Sequence, residues 1–124
     1  MHKLSLAAIV ALCLLIVGCA SCKNEAQVEH FAPDGRWKYV SFDRNCGATT
    51  ANNFQVSILE APDVLPDSAA NTFIADDNHG ATKFVAQPAW LSSRILEITY
   101  SSRAHVFKKE SHVGPIEIRY IEQP

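Results

Sequence analysis

Beyond an apolar run near its start, this chain of 124 residues shows no 3.6-residue apolar period and no capping box, which argues against a helical bundle or coiled coil. It has no internal repeat, so a solenoid or propeller is excluded. It has no cluster of basic residues, which argues against nucleic acid as a partner and against electrostatic docking on anionic lipid. No glycine-rich phosphate loop, Ser-His-Asp triad or paired-carboxylate motif is present, and low-complexity segments are absent too. The apolar run itself, residues 4–17 with only Ser5 interrupting it, is shorter than the roughly 20 residues that cross a bilayer as a helix.

What is present begins with that run. Lys3, with His2 beside it, supplies a short basic start, and the run ends at Gly18 and Cys19, as in a cleaved export signal over residues 1–18. Ile16-Val17-Gly18-Cys19 resembles the lipobox of bacterial lipoproteins. The resemblance implies a diacylglyceryl group on the Cys19 thiol, cleavage just before it, and acylation of the new N-terminus by a chain such as palmitate. The alternative is an ordinary signal peptide in which Cys19 is incidental. Two or three acyl chains anchor a protein firmly, at ~0.8 kcal/mol per buried methylene. Ala20 follows, where lipoproteins retained in the inner membrane favour Asp, so the expected place is the outer membrane, facing the periplasm.

Loss of the signal removes Lys3 and leaves 10 of the 11 basic side chains against 13 acidic ones, shifting the formal charge from −2 to −3. It also removes Cys13. With Cys19 converted to a thioether, Cys22 and Cys46 keep thiols, and in an oxidising compartment they are disulfide candidates.

Residues 19–30 read as a lipidated, polar tether of about ten residues that spans at most ~35 Å. Residues 31–124 read as one small domain. Pro33-Asp34-Gly35 is turn chemistry. Strands are expected at 37–44, with apolar residues on both faces, and at 54–59, 71–75, 83–87 (stopped by Pro88), 94–100, 104–108 and 115–121. Residues 61–70 read as an exposed loop, and Trp90 as an aromatic plug before a turn. The fold class is therefore all-β, an antiparallel meander of roughly six to seven strands forming a small barrel or sandwich.

Ala32-Pro33-Asp34-Gly35-Arg36-Trp37 resembles the hairpin signature of TolB-type propeller repeats, but one copy cannot close a propeller, so it points to a hairpin. Arg44-Asn45-Cys46-Gly47-Ala48-Thr49-Thr50 is the most distinctive segment of the mature chain. Together with Asn71-Thr72-Phe73-Ile74, His79-Gly80, Trp90-Leu91 and the 116–120 strand, it resembles a family of small bacterial proteins that share an Arg-(Asp/Asn)-Cys-Gly-Ala-Thr-Thr core. Many of these start with a lipobox or membrane segment. The resemblance implies a fold and carries over no catalytic residue.

Three kinds of chemistry deserve weighing. Cys46 as a nucleophile needs a histidine to make its thiolate, with His79, His105 and His112 as candidates; a disulfide or a buried turn cysteine is the plainer reading. Asp76, Asp77 and His79 form a polar turn that can hold a cation, but they lack the spacing of a zinc site and read more simply as a solvated turn. Trp37, Tyr39, Trp90 and Tyr100 can anchor a partner or glycan, against the plainer reading as packing. The expectation is a lipid-anchored envelope protein that binds another envelope protein, peptidoglycan or a toxin, without a cofactor and without catalysis. A Cys46/His thiol enzyme and a structural accessory subunit of an envelope complex are the alternatives.

Overall fold

The computed structural model describes residues 22–47 and 53–124. The signal segment, Cys19 and Ala48-Thr49-Thr50 lie outside the described residues. The described residues form nine strands and no helix: β1 (Lys23–Phe31), β2 (Trp37–Asn45), β3 (Asn53–Glu60), β4 (Phe73–Asp76), β5 (Ala86–Ser92), β6 (Ile95–Ser101), β7 (His105–Lys109), β8 (His112–Val113) and β9 (Ile116–Gln123). One sheet has the order β1-β2-β3-β4-β7 and the other β5-β6-β9-β8, an open sandwich rather than a closed barrel.

Alternation along the strands builds the core between the sheets. Tyr39, Val56, Ile58, Phe73 and Ala75 from the first sheet meet Leu96, Ile98, Tyr100, Ile116 and Ile118 from the second. Full burial of each large side chain contributes about 1.5–3 kcal/mol. The two faces of β2 are both used. Tyr39 points into the sandwich, while Val40 and Phe42 point outward into a second cluster with Ala70, Leu59, Leu65 and Ile74. That outer cluster corrects the reading of residues 61–70 as simply exposed: Leu65 and Ala70 cover the outside of the first sheet.

Polar side chains hold this loop down. Gln55 Oε1 accepts from the Ala70 amide at 2.9 Å, and Ser57 Oγ accepts from the Asn71 amide at 3.1 Å. Asn71 then pairs with the backbone of Ile58, accepting at 2.9 Å and donating at 2.8 Å, so its side chain continues the ladder beyond β4. At the Pro33-Asp34-Gly35 turn, Gly35 takes a φ of 73°, and Asp34 Oδ1 accepts from the Arg36 amide at 3.0 Å.

Four sequence expectations are corrected. Residues 23–30 are not a free tether but most of β1, which pairs with β2 from Lys23↔Asn45 to Phe31↔Lys38 around a bulge at Ala26 and Gln27. As an exposed edge strand it buries almost nothing and shows no apolar alternation; backbone pairing holds it. Pro88 does not stop a strand but lies within β5, which is tolerated because β5 is an edge strand and Pro lacks only one donor. Trp90 is likewise inside β5. The meander is also broken: β6 and β9 run parallel, from Ile95↔Glu117 to Ser101↔Gln123. After β6 the chain crosses to the first sheet as β7 and returns through β8, laying two alternating strands side by side in the middle of the second sheet, each with its apolar face toward the core.

The two ends of the sandwich differ. The strand registers bring Cys22, the end of β2, the 77–85 turn and the 102–104 turn to one end. There Ser101 N donates to Val85 O at 2.9 Å and Ser102 N to Gln123 O, at the end of β9, at 2.6 Å. The 32–36 turn and the β5–β6 turn lie at the other, where Asp34 N donates to Ser93 Oγ at 3.0 Å.

Candidate functional site

The Lys23↔Asn45 pairing places Cys22 directly opposite Cys46, and a disulfide joins them with their Cα atoms 4.1 Å apart. In this state Cys46 offers no thiol. Beside it, Arg44 Nη1 donates to Asn24 Oδ1 at 2.7 Å and to Asp67 Oδ1 at 3.0 Å. Asn24 donates in turn to the carbonyls of Pro66 (3.0 Å) and Ser68 (3.2 Å). Asn53 pairs with the backbone of Arg44 on the β3 side, accepting from its amide at 2.8 Å and donating to its carbonyl at 2.5 Å. Asn45 Oδ1 accepts from the Gly47 amide at 3.0 Å.

The described part of the Arg-Asn-Cys-Gly segment is thus a clasp: its polar atoms fasten β1, β2, β3 and the 61–70 loop to one another. The guanidinium is mostly buried and its partner Asp67 is largely exposed, so the hydrogen bonds matter more than the ion pair. Sequence reasoning singled out the segment but missed Asn24, Asn53 and Asp67, which have no motif spacing to it.

Asp43, one residue earlier in β2, lies across the ladder from Glu25. Burial, and secondarily the Glu25 carboxylate, raise its pKa above the ordinary aspartate value.

Asp76, Asp77 and His79 occupy the 76–80 turn. Asp76 Oδ1 accepts from the Asn78 amide at 2.8 Å, and Asn78, His79 and Gly80 follow with φ of 49°, 55° and 84°. Among the described residues no group of three His, Cys, Asp or Glu side chains is placed to hold a metal ion. His105 stands at the start of β7 with its ring 4.3 Å from that of Phe107, and His112 lies in β8 of the other sheet.

The aromatic residues pack. Tyr39 and Tyr100 are buried, and Trp37 and Trp90 rest half-buried against the core. His30 of β1 stacks on Tyr39 at 4.8 Å, and Trp90 Nε1 donates to the His30 carbonyl at 3.0 Å, which joins the edges of the two sheets. Lys109 Nζ sits 5.1 Å and 5.0 Å from the ring centres of Tyr100 and Tyr120. The Tyr120 hydroxyl donates to the Glu110 carbonyl at 2.6 Å; burial first, then Glu110 and Tyr100, push its pKa far above the tyrosine range. Burial also raises that of Tyr39. Both phenols stay neutral near pH 7 and act as hydrogen-bond donors.

No protein-family model matches the chain, and comparison with curated proteins and with solved structures finds no match.

Proposed function

We propose that this protein is a lipid-anchored component of the bacterial cell envelope, held by acyl chains on Cys19 and facing the periplasm, where it acts as a small binding module without catalysis. The observation that carries the reading is the sequence Ile16-Val17-Gly18-Cys19 after a basic start and a short apolar run. The Cys22–Cys46 disulfide supports it, because such bonds persist in oxidising compartments. The same disulfide weighs against the thiol-enzyme alternative, since it occupies the one sulfur proposed as nucleophile. The end of the sandwich away from Cys22 carries the side chains offered to a partner, with Phe31 and Leu91 each about half exposed on the edge strands β1 and β5.

The test is expression in a bacterial host fed an alkyne-tagged fatty acid. Label is expected on the wild type and none on Cys19→Ser, and an inhibitor of lipoprotein signal peptidase should cause the uncleaved form to accumulate. An unlabelled wild type overturns the reading.

A further inference from the structure

The placement of β1 changes how far the domain stands from its anchor. Were residues 20–30 a free tether, the domain could move ~35 Å from the bilayer. Instead Cys22 is bonded to Cys46, and β1 is paired to β2 from Lys23 onward. Between Cys19 and the fixed Cys22 there remain only Ala20 and Ser21, a reach of at most about 11 Å. Strand β2, with nine residues, makes the sandwich about 30 Å long. The leash is therefore much shorter than the body it holds.

From this we propose that the Cys22 end of the sandwich rests on the surface of the anchoring bilayer, with Phe84 as its apolar contact, and that the opposite end faces away from the membrane. The inference rests on the lipid anchor proposed above. Phe84 is 39% exposed in the 77–85 turn, and Thr82 Oγ1 donates to its carbonyl at 2.8 Å, which holds the turn around it. Lys83 beside it and Arg103 on the neighbouring 102–104 turn are both exposed and suit lipid phosphates. Lys23 at the same end adds to them, and Glu25, Asp43, Asp76 and Asp77 offset the three, so net charge does not draw this surface down. Tethering does: a leash of this length keeps Phe84 at a high effective concentration against the interface, where even a weak apolar contact persists.

The test is amide hydrogen exchange, read by mass spectrometry, on purified full-length mature protein in vesicles of phosphatidylethanolamine and phosphatidylglycerol. The reference is a soluble, unacylated form that begins at Ala20 and is exported by an ordinary cleaved signal, with the same vesicles, and intact mass reports acylation first. Several-fold slower exchange in 77–85 and 102–104, with 61–65 and the 32–36 turn unchanged, is the expected result. Phe84→Ser in the acylated protein is expected to lose the slowing at 77–85 while keeping the wild-type melting temperature; persistence of the slowing overturns the role of Phe84. Acylated protein with no slowing at either turn overturns the orientation and leaves the anchor standing. An unmodified Cys19 overturns both.

Discussion

Cys22 and Cys46 face each other across the β1–β2 ladder and are covalently joined, so the first strand of the domain is bonded at the point where the chain enters it. The bond closes a separation of 24 residues, and loop-closure arithmetic assigns it about 3 kcal/mol. Urea unfolding of Cys22→Ser against wild type is expected to show a loss of that order. Hydrogen exchange should speed up in 23–31 first, because this edge strand has little buried side-chain surface to hold it.

Arg44 supports the same strand by a second route. Arg44→Ala leaves Asn24 without its 2.7 Å donor and Asp67 without its 3.0 Å one, and is expected to cost about 1–3 kcal/mol. Arg44→Lys is expected to recover little of it, since one ammonium does not reproduce the planar fork. Both the disulfide and the guanidinium restrain β1, so a Cys22→Ser/Arg44→Ala double-mutant cycle in urea should be non-additive. Strict additivity contradicts a shared clasp.

Asn71 stands in for a missing strand residue. Asn71→Ala removes both bonds to the Ile58 backbone and is expected to cost about 1–3 kcal/mol in denaturant unfolding. Asn71→Asp, ionised at pH 7, keeps the acceptor for the Ile58 amide but turns an oxygen on the Ile58 carbonyl, so it should lose stability there; at low pH its protonated carboxyl regains an O–H donor and it should come closer to wild type.

Asp43 lies opposite Glu25, and its pKa is raised in the folded protein. Below the ordinary aspartate value of 3.8 the group is protonated in both states and has no effect. As pH rises above that value the unfolded chain ionises first, so the partial desolvation of Asp43, and secondarily Glu25, take away stability progressively up to the folded-state pKa, and the loss stays in full above it. Asp43→Asn is therefore expected to raise the melting temperature at pH 7 and not at pH 3. The gain is about 0.2–1 kcal/mol, toward the lower figure because the Asp43 side chain is only partly withdrawn from solvent.

Much of the fold is legible in the residues, and the exceptions have physical reasons. Val56 and Ile58, or Ile116 and Ile118, alternate because one side of each strand is buried. Apolar residues on both faces of β2 mark a strand covered twice, by the second sheet and by Leu65 and Ala70. β1 is illegible by that criterion, since a strand that buries only its backbone carries no side-chain period. Pro88 misleads because a proline stops a central strand but not an edge. The parallel β6–β9 pairing depends on where the chain returns after β7, which no local pattern states. At the candidate site Cys22 and Cys46 are visible as a possible pair by counting alone. The partners of Arg44 are not, because Asn24 and Asp67 are 20 and 23 residues away in sequence and ordinary in type.

On the proposed reading, the domain is stapled to a very short leash on an acylated Cys19. Intact mass, with and without thiol alkylation, of the mature protein extracted from bacterial envelopes tests it most directly. A chain is expected that begins at Cys19, carries diacylglyceryl and acyl groups, and takes up alkylating reagent only after reduction, at Cys22 and Cys46. A chain cut elsewhere with Cys19 unmodified, or one whose Cys22 and Cys46 alkylate without reduction, contradicts it.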